Sequence, residues 1–173
     1  MFWCDVRMRF TSSDIKPEIR AQALMYGVAT WARNMYPTST FTHLGTIRYF
    51  NLTRQEFYFQ NMVYPKPALY INTKTLHERV MLLWIKCVLD EDCINPRGAQ
   101  FTGCNLDLRP KFLYSGCHRH STSAFNVALW HSYPHSVPYR SDKQLFRIRE
   151  VETSVLASLK SIITKWSSIK QNK

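Results

Sequence analysis

The stretch from Leu76 to Leu89 sets the tightest limit on what this chain can fold into. Leu76, Val80, Leu83, Cys87 and Val88 mark one face of a helix, and Met81, Leu82, Trp84 and Ile85 make it apolar nearly all round. Such a helix must be enclosed, so the expectation is a central buried helix with the other elements laid against it. Thr75 is placed to cap its start, and Asp90-Glu91-Asp92 to end it. Three acids at a helix C-terminus oppose the macrodipole and need solvent or a cation beside them. With 173 residues the chain can bury such a core without staples, which predicts one domain over 1–173.

Around that helix the pattern is mixed. Leu24, Val28, Trp31 and Met35 recur at helical spacing, with Pro17 suited to a first turn and Pro37 to a stop. Residues 46–50, 56–59 and 68–71 are short aromatic or β-branched runs punctuated by Pro65 and Pro67, and read as strands. Weaker strands are expected at 2–10, 100–109 and 145–149, and a short helix at 123–130. Val151, Val155, Leu159, Ile162 and Trp166 predict a closing helix at about 150–166, with Lys160, Lys165, Lys170 and Lys173 in solvent. Helices and strands without strict alternation predict an α+β fold, helices covering a mostly antiparallel sheet.

Charge narrows the partner. With 23 Lys and Arg against 12 acids the net charge is +11, and clustered cations gain affinity for phosphates by releasing counterions. Arg48, Arg54 and Lys66 lie among the aromatic runs, a mixture that suits single-stranded DNA or RNA; a half-buried sheet needs the same aromatics. Met1-Phe2-Trp3 is followed at once by Asp5, Arg7 and Arg9, so no continuous apolar leader is expected. No run reaches the ~18 apolar residues of a membrane span. The expectation is an intracellular protein, nuclear by its basic balance, whose five cysteines are reduced.

Chemistry concentrates in Lys111 to Ser121, where an apolar run, Phe112-Leu113-Tyr114, reads as a strand end that breaks at Ser115-Gly116 into Cys117-His118-Arg119-His120. These side chains can hold a metal, grip a phosphate or cap a strand. Zinc prefers thiolates and imidazoles delivered as close pairs, and only Cys117, His118 and His120 offer such closeness. Arg119, in a glycine-relieved turn, is shaped for bidentate phosphate contact.

Three families share parts of this pattern. His118-Arg119-His120 resembles the paired-histidine metal motif of rolling-circle endonucleases, with Tyr139 as the nucleophile, although the middle residue is a cation. Extended through Ser123, Ala124 and Asn126, the tract is similar to the origin-binding domain of polyomavirus large T antigens. A longer resemblance is to the small catalytic subunit of archaeo-eukaryotic primases. Tyr36-Pro37 closing a helix, Arg54-Gln55-Glu56-Phe57-Tyr58-Phe59 on a strand, the helix ending at Asp92, Phe112 to Gly116, and Pro134 to Val137 resemble successive parts of that family. The chain departs from it at Pro138, in place of a histidine, and lacks the strand with the paired metal-binding aspartates.

The resemblance implies a truncated primase-like fold with an RRM-like core that binds nucleotide or template phosphates. Arg54, Ser115, Gly116, Arg119, His120, His135 and Ser136 would contact phosphate, beside a helicase or another primase-like subunit in DNA replication. Two-metal nucleotidyl transfer needs carboxylates a fixed short distance apart. Asp107 is the catalytic candidate, with Asp90 or Asp92 and Mg²⁺ or Mn²⁺, and the missing aspartate pair favours a binding module that has lost catalysis. The alternatives are a minimal active primase and a zinc-holding viral adaptor that binds host proteins.

Overall fold

The computed structural model describes residues 1–4, 8–10, 17–134, 140–141 and 146–148. The predicted closing helix lies outside these residues. Helix α1 spans Pro17–Tyr26 and strand β3 spans Val28–Pro37, after the short strands β1 (Phe2–Trp3) and β2 (Met8–Phe10). The single helix expected to run on to Met35 is therefore two elements. Between them Gly27 adopts φ +74°, a left-handed conformation that ends a helix. Its burial is tight, for a Cβ there would lie 2.6 Å from the Leu76 Cβ.

Strand β4 (Asn61–Tyr70) pairs antiparallel with β3, placing Val28 opposite Tyr70 and Thr30 opposite Ala68. Strand β1 pairs antiparallel with the outer side of β4, and β5 (Arg140–Ser141) runs parallel to β3. The sheet order is β1-β4-β3-β5, while β2 and β6 (Phe146–Ile148) form a separate antiparallel ribbon. The fold is α+β with a small, mostly antiparallel sheet.

Side chains alternate across this sheet with the period of two that a strand requires. Ala29, Trp31 and Leu69 pack on Ile19 and Ala23 of α1. On the opposite face Val28, Val63, Ala68 and Tyr70 meet Leu76, Val80, Phe125 and Leu129. Phe125 and Leu129 belong to α6 (His120–Ser132), whose residues from Ser123 to Trp130 are all buried. Asn126 fastens α6 to the sheet: its Oδ1 accepts from the Val63 N–H at 2.9 Å and its Nδ2 donates to the Val63 carbonyl at 2.7 Å.

Helix α6, then, holds the enclosed position expected of residues 76–89. That run is helical throughout, as α3 (Lys74–Leu76), a π-helical segment (His77–Met81) and α4 (Leu82–Leu89), but only one side faces inward. Val80 and Cys87 are buried, whereas Ile85 is 52% and Leu89 81% exposed. Thr73, rather than Thr75, caps it by accepting from the Leu76 N–H. The three acids also change meaning, because a new helix, α5 (Glu91–Ile94), starts there. Asp90 Oδ1 accepts from the Asp92 N–H at 3.0 Å, so the acids stand at an N-terminus, where the helix dipole favours them.

Two expected strands are helical. Residues 44–49 form α2 (Leu44–Tyr49), and Arg54–Phe57 is a 3-10 helix. Thr53 and Glu56 form a capping box, with the Glu56 carboxylate accepting from the Thr53 N–H at 2.8 Å. That box turns the chain where an aromatic run suggested extension. Ile47, Phe50 and Phe57 then pack against Cys87, Cys93 and Trp130. Residues 100–109 contain no strand, and neither do residues 112–114.

The cysteines also depart from expectation. Cys87 is bonded to Cys93 and Cys104 to Cys117, leaving Cys4 free. The first bridge ties α4 to α5, and the second ties the 100–109 loop to the turn before α6. The expectation of reduced thiols is thereby corrected: chain reversals bring together cysteines that sequence spacing kept apart. Among the described residues no helix is long and apolar enough to cross a membrane.

Candidate phosphate-binding site

The turn before α6 is built on a hydroxyl-rich segment, residues 38–42. Thr38, Ser39, Thr40, Phe41 and Thr42 are all buried, and they serve as a rail for the 111–119 loop. The Thr40 carbonyl accepts from both the N–H and the hydroxyl of Ser115, at 3.0 and 2.8 Å. The Phe41 carbonyl accepts from the Arg119 N–H at 3.0 Å and from the Ser123 hydroxyl at 2.7 Å. Ser39 donates to the Phe112 carbonyl and Thr40 to that of Lys111. Buried backbone must find partners, and here side-chain hydroxyls supply them in place of a strand.

The Ser115 hydroxyl points inward to the rail. Gly116 provides the left-handed turn, at φ +86°. Cys117 is buried and its sulfur is bonded to Cys104. His118 is fully buried; its Nδ1 accepts from the His43 N–H at 3.2 Å and its Nε2 donates to the Ile94 carbonyl at 3.0 Å, the tautomer those partners impose. Desolvation pushes its pKa down to about 4, so it is neutral. The Cys117 sulfur is engaged in the disulfide and both His118 nitrogens in hydrogen bonds, and among the described residues no three or more His, Cys, Asp or Glu side chains are grouped as metal ligands.

Arg119 lies between two rings, its guanidinium carbon 5.3 Å from the Phe41 centroid and 5.1 Å from that of Phe101. His120 stacks on the other partner, Phe101, at 5.5 Å. Asp107 sits on an exposed loop rather than a strand, its N–H donating to the Asn105 side chain. Asp90 accepts from the Tyr49 hydroxyl at 2.8 Å as well as capping α5. His135 and Ser136 lie outside the described residues.

Arg54 is the expected contact that meets new partners. Its guanidinium carbon lies 5.3 Å above the Tyr114 ring, and the Tyr114 ring lies 5.8 Å from that of His43. The Arg54 Nε and the Tyr114 hydroxyl oxygen are both buried with no hydrogen-bond partner among the described residues, and so is Thr42 Oγ1 beside His43 in the chain. No carboxylate pairs with Arg54 among the described residues; Glu56, two residues on, is turned toward Thr53 and Trp130.

Each group is held in the form that suits an anion. His43 caps α2, its Nδ1 accepting from the Gly45 N–H, which leaves Nε2 to carry the proton. Burial and then the Arg54 charge lower its pKa. Burial raises the pKa of Tyr114, against the pull of Arg54, so the phenol keeps its proton. An arginine cation, a phenol and an imidazole N–H thus stand together, with no carboxylate paired to the arginine among the described residues.

His43 and Tyr114 are candidate site residues that sequence reasoning missed. The hydroxyl run 38–42 ending in a helix-capping histidine was the available signal. The chain matches no known protein family, no curated protein and no solved structure.

Proposed function

We propose that this chain is a binding module for a phosphate-bearing ligand of the nucleotide class, held where Arg54, His43 and Tyr114 meet. The observation that carries the reading is the meeting of cation, phenol and imidazole: the Arg54 guanidinium carbon lies 5.3 Å from the Tyr114 ring centroid and that ring 5.8 Å from His43, with no carboxylate paired to Arg54 among the described residues. A guanidinium offers two parallel donors to a phosphate, and the net charge of +11 attracts the same ligand from a distance.

The reading keeps Arg54 as the phosphate contact implied by the primase resemblance. It does not need that family's strand, for Arg54 starts a 3-10 helix here. The two disulfides suit an oxidising compartment rather than the nucleus, and the proposal therefore leaves the replication role behind. Equilibrium titration with a nucleoside diphosphate, comparing the parent with Arg54→Gln, tests it. Loss of one charge-assisted contact weakens binding by about 10-fold or more. Equal affinities would remove Arg54 from the site and the reading with it.

A further inference from the structure

The two segments that carry Arg54 and Tyr114 also build an aromatic face. Four residues after Arg54, Tyr58 stacks on Phe112 with ring centroids 4.3 Å apart and planes 18° from parallel. Phe59 stands on edge to the same Phe112 ring at 6.3 Å and is 85% exposed. On the other segment Phe112 precedes Tyr114 by two residues, and exposed Lys111 precedes Phe112, its ammonium lying 5.5 Å from the Tyr36 centroid. The pairs Arg54 with Tyr114 and Tyr58 with Phe112 are neighbouring contacts across one seam. At about 2 Å rise per residue along a 3-10 helix they stand on the order of 8 Å apart, comparable with the span of a nucleoside phosphate.

Single exposed apolar residues are ordinary on protein surfaces. Phe59 is different in its company: it edges a stacked aromatic pair, five residues along the chain from a guanidinium that no carboxylate pairs with among the described residues. Aliphatic ligands gain from any apolar surface, whereas a planar ring carrying phosphate gains from this combination of π-face and cation. We infer that the exposed Phe59 ring, braced on edge against Phe112, is the platform on which the base of the bound nucleotide stacks while its phosphate lies against Arg54. This rests on the phosphate-binding reading above and adds the base to it. The same chemistry is offered by a free nucleotide and by one unit of a single strand.

The test uses the intact chain and four probes: pyrophosphate, a nucleoside diphosphate, a short single-stranded oligodeoxynucleotide and an abasic strand of equal length. Phe59 is on the surface, so Phe59→Ala leaves the fold intact, and Phe59→Tyr keeps the ring. Loss of one base–aromatic stack weakens binding at least about 5-fold. Phe59→Ala is expected to show that loss for the nucleoside diphosphate and not for pyrophosphate, Phe59→Tyr to restore it, and Arg54→Gln to weaken both probes. If Phe59→Ala binds the nucleoside diphosphate as the parent does while Arg54→Gln is weakened, the platform is wrong and the phosphate contact stands. If Arg54→Gln is unchanged, or the parent binds no probe, both readings fall. A strand bound more tightly than the nucleoside diphosphate, and more tightly than its abasic counterpart, assigns the platform to single strands; the reverse order assigns it to free nucleotides. Equal affinity for pyrophosphate and the nucleoside diphosphate in the parent overturns base stacking.

Discussion

Lowering the pH from 7 to 5 should cost this fold about 2 kcal/mol through His118 alone. The ring is fully buried, and its two nitrogens are committed in opposite senses: Nδ1 accepts from the His43 N–H and Nε2 donates to the Ile94 carbonyl. A second proton would have to go on Nδ1, facing a donor. Burial is the main cause of the fall in its pKa to about 4; the Ile94 carbonyl opposes it, and His120 and His43 add to it. In the unfolded chain the imidazole returns to an ordinary value of about 6.5. Between those two values the unfolded state binds the extra proton. The stabilisation is therefore fully present above about pH 6.5 and is lost as pH falls, by about 2 kcal/mol at pH 5 and about 3 at pH 4. His43, also lowered, contributes in the same direction. Urea denaturation at pH 7, 6 and 5 measures the sum, and the difference from His118→Gln isolates His118. An unchanged midpoint between pH 7 and 5, or the same loss in His118→Gln, would refute the assignment.

Three further changes test the packing. Asn126→Ala strips the Val63 N–H and C=O of their buried partners and should cost about 2–4 kcal/mol in chemical denaturation; a cost under about 1 would mean that the sheet finds other partners. Gly27→Ala forces a side chain into a left-handed residue 2.6 Å from the Leu76 Cβ and should lower the melting temperature clearly more than Gly103→Ala. Gly103 has a similar φ of +80° and nothing within 4 Å of its added carbon, so the comparison separates strain from overlap, the strain alone being about 1 kcal/mol. Replacing Cys104 and Cys117 by serine opens a bridge that spans 13 residues and should cost about 3 kcal/mol; equal stability with and without the bridge would contradict it.

Much of the framework was legible where one physical signal dominated. The helical run through residues 76–89, the helix at 123–130 and the strand residues 68–70 follow from hydrophobic pattern and length. Residues 46–50 and 56–59 misled because aromatic, β-branched pieces carry strand propensity, which local capping overrode at Thr53 and Glu56. Gly27 hid a helix-to-strand change inside a plausible helical period. The cysteine pairing was not readable, because it depends on the turn at Asp90 and on a loop return that brings Cys104 to Cys117. Within the candidate site, the placing of Arg54 among aromatics was legible. His43 and Tyr114 were not, for their proximity rests on hydrogen bonds between the 38–43 rail and a loop more than 70 residues away.

The most direct test of the proposed phosphate contact is the arginine Nε–H correlation spectrum of the ¹⁵N-labelled protein, titrated with a nucleoside diphosphate, the Arg54 signal being assigned by its absence in Arg54→Lys. The account predicts that the Arg54 resonance moves to saturation with the ligand, in step with shifts in the Tyr114 and His43 rings. A nucleotide that binds while the Arg54 signal stays in place, or one that moves no arginine signal at all, would contradict it.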